Sequence, residues 1–463
     1  MTRPRVVVAG AGITGLAAAF SLRLEAARRG RGIDLVVLDA CDAPGGHART
    51  ICEDGFVVER GPNGFLDRGA DTMALIDELD LRARLVEANP AARRRFILKG
   101  GALQQVPESP PALILSKALG WGAKWRLMKE PWAPAPPGDR DETIFEFAER
   151  RFGREVAETF VDTAVGGISA GDSRALSLRS HFPVLKQMER EYGSLLKAML
   201  RRKSTGRPRL LSFDRGLGVL TASLADRLTG AIRTGARIGR IERRESGWQV
   251  QLTSGSSLMA DHVVCALPSH AAARVAAGID RDLASALEAI PYAGLSVVSL
   301  AYRAPAIERP LGGYGYLVTR GEDLSTLGVL CESSIFPNRA PEGFVLLRVM
   351  LGGSRRPEVS ALDDESLVAV AVQEASSVLG IVARPIRQWV CRWPSAIAQY
   401  TVGHDARTAK INALAAKHPG LHLCGAAYDG VSFNEAVTSA RRTAAQVAEA
   451  LETPLRQECG VQA

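Results

Sequence analysis

The stretch Val6–Phe20, "VVVAGAGITGLAAAF", constrains the fold more than any other part of the 463-residue chain. Three consecutive β-branched residues, Val6–Val8, suit a parallel strand buried on both faces. They lead into Gly10, Gly12 and Gly15. The first permits a tight turn, the second lets backbone approach a pyrophosphate, and the third lets the next helix pack close to the strand. That helix, about Thr14 to Arg29, aims its N-terminal N–H groups and dipole at phosphates. A second strand, Asp34–Leu38, ends in Asp39, 24 residues beyond Gly15, where a carboxylate accepts from a ribose hydroxyl. Strand, glycines, helix, strand and acid in this order predict a Rossmann-like dinucleotide-binding α/β domain.

Composition narrows the partners. With 46% hydrophobic and 23% charged residues, the chain can build two or three cores. The formal charge of +8 comes without a nucleic-acid recognition motif, so an anionic small molecule or a membrane surface is the expected partner rather than nucleic acid. Seven scattered cysteines with no C-x-x-C pair predict neither a disulfide framework nor a metal site, and point to a reducing, cytoplasmic setting. "MTRPRVVVAG" carries no signal-peptide h-region, so secretion is not expected. The longest uncharged run, Val6–Leu22, has 17 residues and is broken by glycines, short of the roughly 20 that a spanning helix needs.

From about Thr72 to Leu200 the pattern reads as helical, as in "DETIFEFAERRFGREVAETFVDTAV". From Leu210 it turns to a hairpin pattern and then a strand, His262–Leu267, that rejoins the first sheet. Strands follow in "LSVVSLAY", "GYGYLVT" and "FVLLRVMLGG", with a helix around "ESLVAVAVQEASSVLG". The end is a strand, a glycine turn and a long helix with the stripe Val437, Ala440, Ala444, Val447 and Leu451. A dinucleotide sheet assembled from the N-terminus, the middle and the C-terminus explains this order.

Gly45–Gly46 follow the ribose acid, a habit of flavoproteins of the amine-oxidase and desaturase type, which the chain resembles. His47 departs from the arginine often found there. Within that superfamily "ERGPNGFLDR" (Glu59–Arg68), "RRRFILKGGALQQVPESP" (Arg93–Pro110), "GGISAGD" (Gly166–Asp172), "FDRGLGVL", "FPNRAP", "RWPSAIAQYTVGH" and "GAAYDGVSFNEAV" run in order along the whole chain. They resemble the oxygen-dependent protoporphyrinogen and coproporphyrinogen oxidases. The resemblance implies three parts. They are a Rossmann-like FAD domain of the amine oxidase/p-hydroxybenzoate hydroxylase type (1–70, 206–285, 405–463), an α+β substrate domain with an antiparallel sheet (71–95, 286–404), and a helical domain (96–205). It also implies flavin-dependent oxidation of a porphyrinogen, with O2 as acceptor and hydrogen peroxide released.

Carried over by this resemblance, FAD contacts come from Gly10, Ala11, Gly12, Ile13, Thr14, Gly15, Asp39, Ala40, Gly46, His47, Gly61, Pro62, Asn63 and Gly64. Ile238 meets the adenine, Trp393, Val431, Ser432 and Phe433 lie beside the isoalloxazine, and Gly425 opens the closing turn. Asn63 and Arg95 are the candidate catalytic pair, Asn63 close to the flavin and Arg95 on a propionate, where a guanidinium fork suits a carboxylate. Gly167, Leu317, Leu330 and Met350 line the macrocycle. Met350 stands where an aromatic residue often stacks, and Ser169 replaces a tyrosine, which predicts an altered substrate fit.

Protoporphyrinogen heads the expected substrates, with coproporphyrinogen III the alternative. An amine oxidase or desaturase is a further reading, although "LHLCGAAYDG" offers Tyr428 without the second aromatic of an amine-oxidase cage. A non-catalytic FAD or tetrapyrrole carrier is the last. Trp121, Trp125 and Trp132, interleaved with Lys117, Lys124, Arg126 and Lys129, read either as an anchor on the inner face of the cytoplasmic membrane or as a packed surface helix or homodimer contact.

Overall fold

The computed structural model describes residues 3–108, 112, 113, 116, 118–134, 138, 140–201 and 206–452. Lys117, Pro110 and residues 453–463, all singled out above, lie outside them. A five-stranded parallel sheet holds the strands in the order Ile232–Arg233, Asp34–Leu38, Arg5–Ala9, His262–Cys265, Leu421–Leu423. The N-terminus, the middle and the C-terminal quarter of the chain therefore meet in one sheet. Val6 and Val8 pack with the helices Ile13–Arg28 and Phe433–Ala450, while Val7 faces Trp248, Ala272 and Leu283 on the other side. Burial on both faces is what a run of β-branched residues requires. The expected stripe of the last helix is buried as read, and the strands Ile238–Arg244, Gly247–Leu252 and Ser257–Ala260 form the antiparallel pattern.

The second sheet has seven strands, ordered Arg387–Ala398, Tyr292–Arg303, Phe344–Gly352, Thr326–Cys331, Gly315–Val318, Arg95–Lys99, Ala102–Gln105. Its pairs are antiparallel except Gly315–Val318 with Arg95–Lys99, which is parallel. The last two strands correct the reading of Thr72–Leu200 as helical throughout. "RFILKGGALQQ" is a hairpin around Gly100 and Gly101, both at positive φ. Strand alternation then separates two faces. Tyr316, Val318, Val329, Cys331, Val349 and Leu351 pack under the helix Asp364–Leu379, whereas Leu317, Leu330 and Met350 point to the opposite side. The site develops on that opposite side.

The helical part includes Ile144–Phe152, Asp162–Ser169, Pro183–Tyr192 and Leu195–Arg201, around a core of Ile144, Phe147, Val165, Leu176, Leu178 and Leu195. Arg151 lies buried between Glu130 and Glu189 at the centre of an ion-pair network.

Candidate active site

The glycine loop closes as its sequence dictates. Gly10, at φ +101°, donates to the Leu38 carbonyl at 2.7 Å. A Cβ on Gly15 would lie 1.9 Å from the Gly10 carbonyl oxygen, so only glycine brings the helix this close. At Gly12 the opposite holds: φ is −72° and a Cβ would meet nothing within 4 Å. Nor does any side chain cap this helix, and its first turn carries no acid. Open space beside an uncapped helix N-terminus is the cradle a pyrophosphate fits. Asp39 is held beside it by the N–H groups of Ala11 (2.6 Å) and Cys41 (2.7 Å), and Ala40 is exposed next to it. Ala236 donates to the Asp39 carbonyl, which brings the strand that begins at Ile238 to the same edge.

The second glycine pair folds onto the first loop. Gly12 and Gly45 form a bridge, and a Cβ on Gly46 would sit 3.1 Å from the Gly12 Cα. His47 follows, with Trp393 edge-on at 4.3 Å. Protein packed around the imidazole holds its pKa below the usual histidine value. Trp393 donates from Nε1 to the Arg60 carbonyl at 2.7 Å. A Cβ on Gly61 would lie 2.2 Å from the His47 carbonyl oxygen, so the Gly61–Pro62–Asn63–Gly64 turn is seated on the glycine pair. Gly425 reaches the loop from the C-terminal side, with Thr14 the nearest neighbour of its would-be Cβ at 3.8 Å. Phe433 stacks on Phe65 at 5.7 Å, beside Gly64. Ser432 caps the last helix in a reciprocal box with Glu435, which closes two donors and leaves the Phe433 and Asn434 N–H groups without a helical acceptor.

On the substrate-sheet side, Asn63 donates from Nδ2 to the Tyr314 hydroxyl at 3.3 Å, and the Arg95 guanidinium lies 5.2 Å from the Tyr314 ring centroid. Burial pushes the Tyr314 phenol pKa up. Arg95 is exposed, as are Arg93 and Arg94. Gly167 backs directly onto Leu317, whose Cδ2 would be 2.5 Å from a Cβ there. Leu330 and Met350 belong to the same apolar cluster, with Leu317 and Tyr314 packed against it. Ser169 takes no part in that wall. Its buried hydroxyl donates to the Val165 carbonyl, and its own carbonyl accepts from Gln399.

The glycine loops and the Asn63–Tyr314–Arg95 group thus meet at the Gly61–Gly64 turn, but four residues that hold them were given no role in the sequence. Arg348 donates to the Gly61 carbonyl. Arg339 pairs with Glu59 at 3.0 Å and reaches the Asn63 carbonyl at 3.5 Å. Tyr400 clamps the closing turn, donating to the Ala426 carbonyl and accepting from the Gly430 N–H, both at 2.7 Å. Tyr314 joins Asn63 to Arg95. A signal existed for Arg348, the single charge in the apolar strand "FVLLRVMLG".

Two turns meeting at an uncapped helix, beside a sheet face that is apolar with one cationic edge, form a dinucleotide cradle next to a pocket wall for an apolar, anionic ligand. Residues 13–448 match the flavin containing amine oxidoreductase family, to which the chain belongs, and FAD is its cofactor. Within it, the chain is 34% identical to the protoporphyrinogen oxidase of Bos taurus over 96% of this chain and 98% of that one. It is 28% identical to the coproporphyrinogen III oxidase of Bacillus subtilis over 97% and 98%. A solved structure from Exiguobacterium sp. 255-15, provisionally assigned as a protoporphyrinogen oxidase, superposes with a TM-score of 0.86 at 25% identity, covering 98% of this chain and 100% of that one. The chain is a member of the porphyrinogen-oxidising branch of that family.

Proposed function

We propose that the chain oxidises a porphyrinogen to the porphyrin in haem synthesis, with protoporphyrinogen IX the first substrate and coproporphyrinogen III the alternative. The observation that carries this reading is the Asn63–Tyr314–Arg95 group at the edge of the apolar wall of Leu317, Leu330 and Met350. An apolar wall suits a macrocycle, and an exposed guanidinium at its rim suits a propionate. FAD, when bound, would supply the two-electron redox chemistry. The overall change is six hydrogens removed in three two-electron steps, with three O2 reduced to three hydrogen peroxide.

The protein's own residues bind and orient. Gly10–Gly15, Asp39, Ala40, Gly46 and His47 would hold the dinucleotide, with Ile238 at the adenine. Gly61–Gly64, Trp393, Gly425 and Val431–Phe433 would flank the ring system. Arg95 would fix a propionate, Asn63 would lie between ring and macrocycle, and Gly167 would offer backbone to the macrocycle. An aerobic fluorescence assay with both porphyrinogens in parallel tests this. Porphyrin and peroxide above the air-oxidation control are expected, and an FAD-loaded protein inert to both would refute it.

Peripheral attachment to the inner face of the cytoplasmic membrane is the second part of the proposal. Among the described residues no helix is long and apolar enough to cross a membrane. Trp121 and Trp132 are 85% and 80% exposed, and Lys124 and Lys129 lie over the rings of Trp121 and Trp125. Amphipathic rings beside cations match an anionic lipid interface. Flotation with anionic liposomes at low salt is expected to carry the protein upward. Protein that stays at the bottom would exclude attachment.

A further inference from the structure

The strand Phe344–Gly352 places Arg348 on the face that carries the buried Leu346 and Met350, where an apolar residue would serve stability as well or better. Arg348 is 4% exposed, and its partners satisfy it only in part. Nη2 donates to the Gly61 carbonyl, Nη1 lies 3.5 Å from Glu332 Oε1, and among the described residues neither Nε nor Glu332 Oε2 has a hydrogen-bond partner. An incompletely paired buried cation is costly, so stability alone does not account for it.

Its geometry does. Gly61 is pressed from the other side against the His47 carbonyl. Two residues on, the Asn63 carbonyl is reached by Arg339, which is also fully buried and tied to Glu59 and to the Ser212 hydroxyl. The turn is therefore held between the glycine pair of one sheet and two guanidinium groups on the side of the other.

We infer that Arg348, with Glu332, is a positioning pair that fixes the Gly61–Gly64 turn, and with it the flavin, against the substrate sheet. The inference rests on the reading of the site as an FAD–porphyrinogen oxidase. It adds that the seating of the turn against the substrate sheet is set by a side chain whose partners are the Gly61 carbonyl and Glu332.

The test compares wild type with R348M/E332Q and R348K, reading FAD dissociation constant, melting temperature, and kcat and KM separately. The double variant removes both buried charges together, so its melting temperature should stay near wild type. Its FAD affinity should fall at least about tenfold, and kcat should fall by a similar factor with KM changed less than about twofold. R348K keeps the charge but cannot span Gly61 and Glu332 with a fork, and it should lose FAD affinity in the same direction. Wild-type FAD affinity and kcat in a folded double variant would overturn the inference, as would losses that merely track melting temperature across the set. Should the double variant not fold, FAD affinity within about twofold of wild type in R348K overturns it as well. A wild-type chain that binds FAD but oxidises no porphyrinogen sinks only the functional reading, while a chain that binds no FAD sinks both.

Discussion

Removing the Tyr400 hydroxyl separates the two ends of the closing turn. Tyr400→Phe keeps the ring and its stack on His404, at 3.8 Å and 12°. It deletes the acceptor of the Gly430 N–H and the donor to the Ala426 carbonyl. The two losses are unequal. Gly430 lines a polar cavity of about 180 Å³ together with His181, His404 and Asp429, so water can replace the hydroxyl there. Among the described residues no other donor reaches the Ala426 carbonyl, which loses its protein partner. One orphaned carbonyl costs about 1–3 kcal/mol, and the rehydrated N–H adds little. If the turn is pre-formed for FAD, most of that cost moves to binding, and at 1.4 kcal/mol per tenfold the FAD dissociation constant rises about 5- to 100-fold. Flavin fluorescence quenching on titration of the apoprotein measures it. Unchanged FAD affinity together with unchanged denaturant stability would show that the clamp holds nothing.

The two loop glycines should fail in different ways. Gly15→Ala collides with the Gly10 carbonyl and should destabilise the apoprotein, whereas Gly12→Ala should fold normally by circular dichroism and melting temperature yet lose FAD. Arg95→Leu, at an exposed position, should leave melting temperature unchanged and raise KM for a porphyrinogen by about tenfold, as loss of one charge-assisted contact implies. Burial depresses the His404 pKa to about 4, so the folded state binds fewer protons than the unfolded one between pH 6.5 and 4. Stability should therefore be intact above pH 6.5 and fall by up to about 1.4 kcal/mol per unit as pH drops through that window. His404→Phe should flatten this slope in urea titrations at pH 5 and 7, and an unaltered slope would assign the acid sensitivity elsewhere.

The dinucleotide sheet was legible because its demands are local. Val6–Val8 need burial on both faces, and Gly15 needs a vanishing side chain, wherever the rest of the chain goes. The helical periods of Ile144–Phe152 and Asp364–Leu379 were equally plain. The hairpin Arg95–Gln105 was hidden because its strands are short and its hydrophobic alternation partial, so only pairing with Gly315–Val318 selects the extended form. The positioning residues were hidden for another reason. Glu59, Arg339 and Tyr400 act on backbone atoms of distant turns, and unlike Arg348, alone in an apolar strand, they stand in sequence surroundings that do not mark them. Resemblance supplied the candidate ligand-facing residues, and the packing between the sheets supplied their supports.

The order in which the parallel sheet is assembled has a consequence for synthesis of the protein. The helix Ile13–Arg28 is synthesised long before Val437, Ala440, Ala444 and Val447, which share its core. Until then the nascent chain carries an unburied alanine- and leucine-rich face, and neither the last strand nor the closing turn exists. A chain interrupted before Phe433–Ala450 would therefore leave the first core open and lack the closing turn's helix.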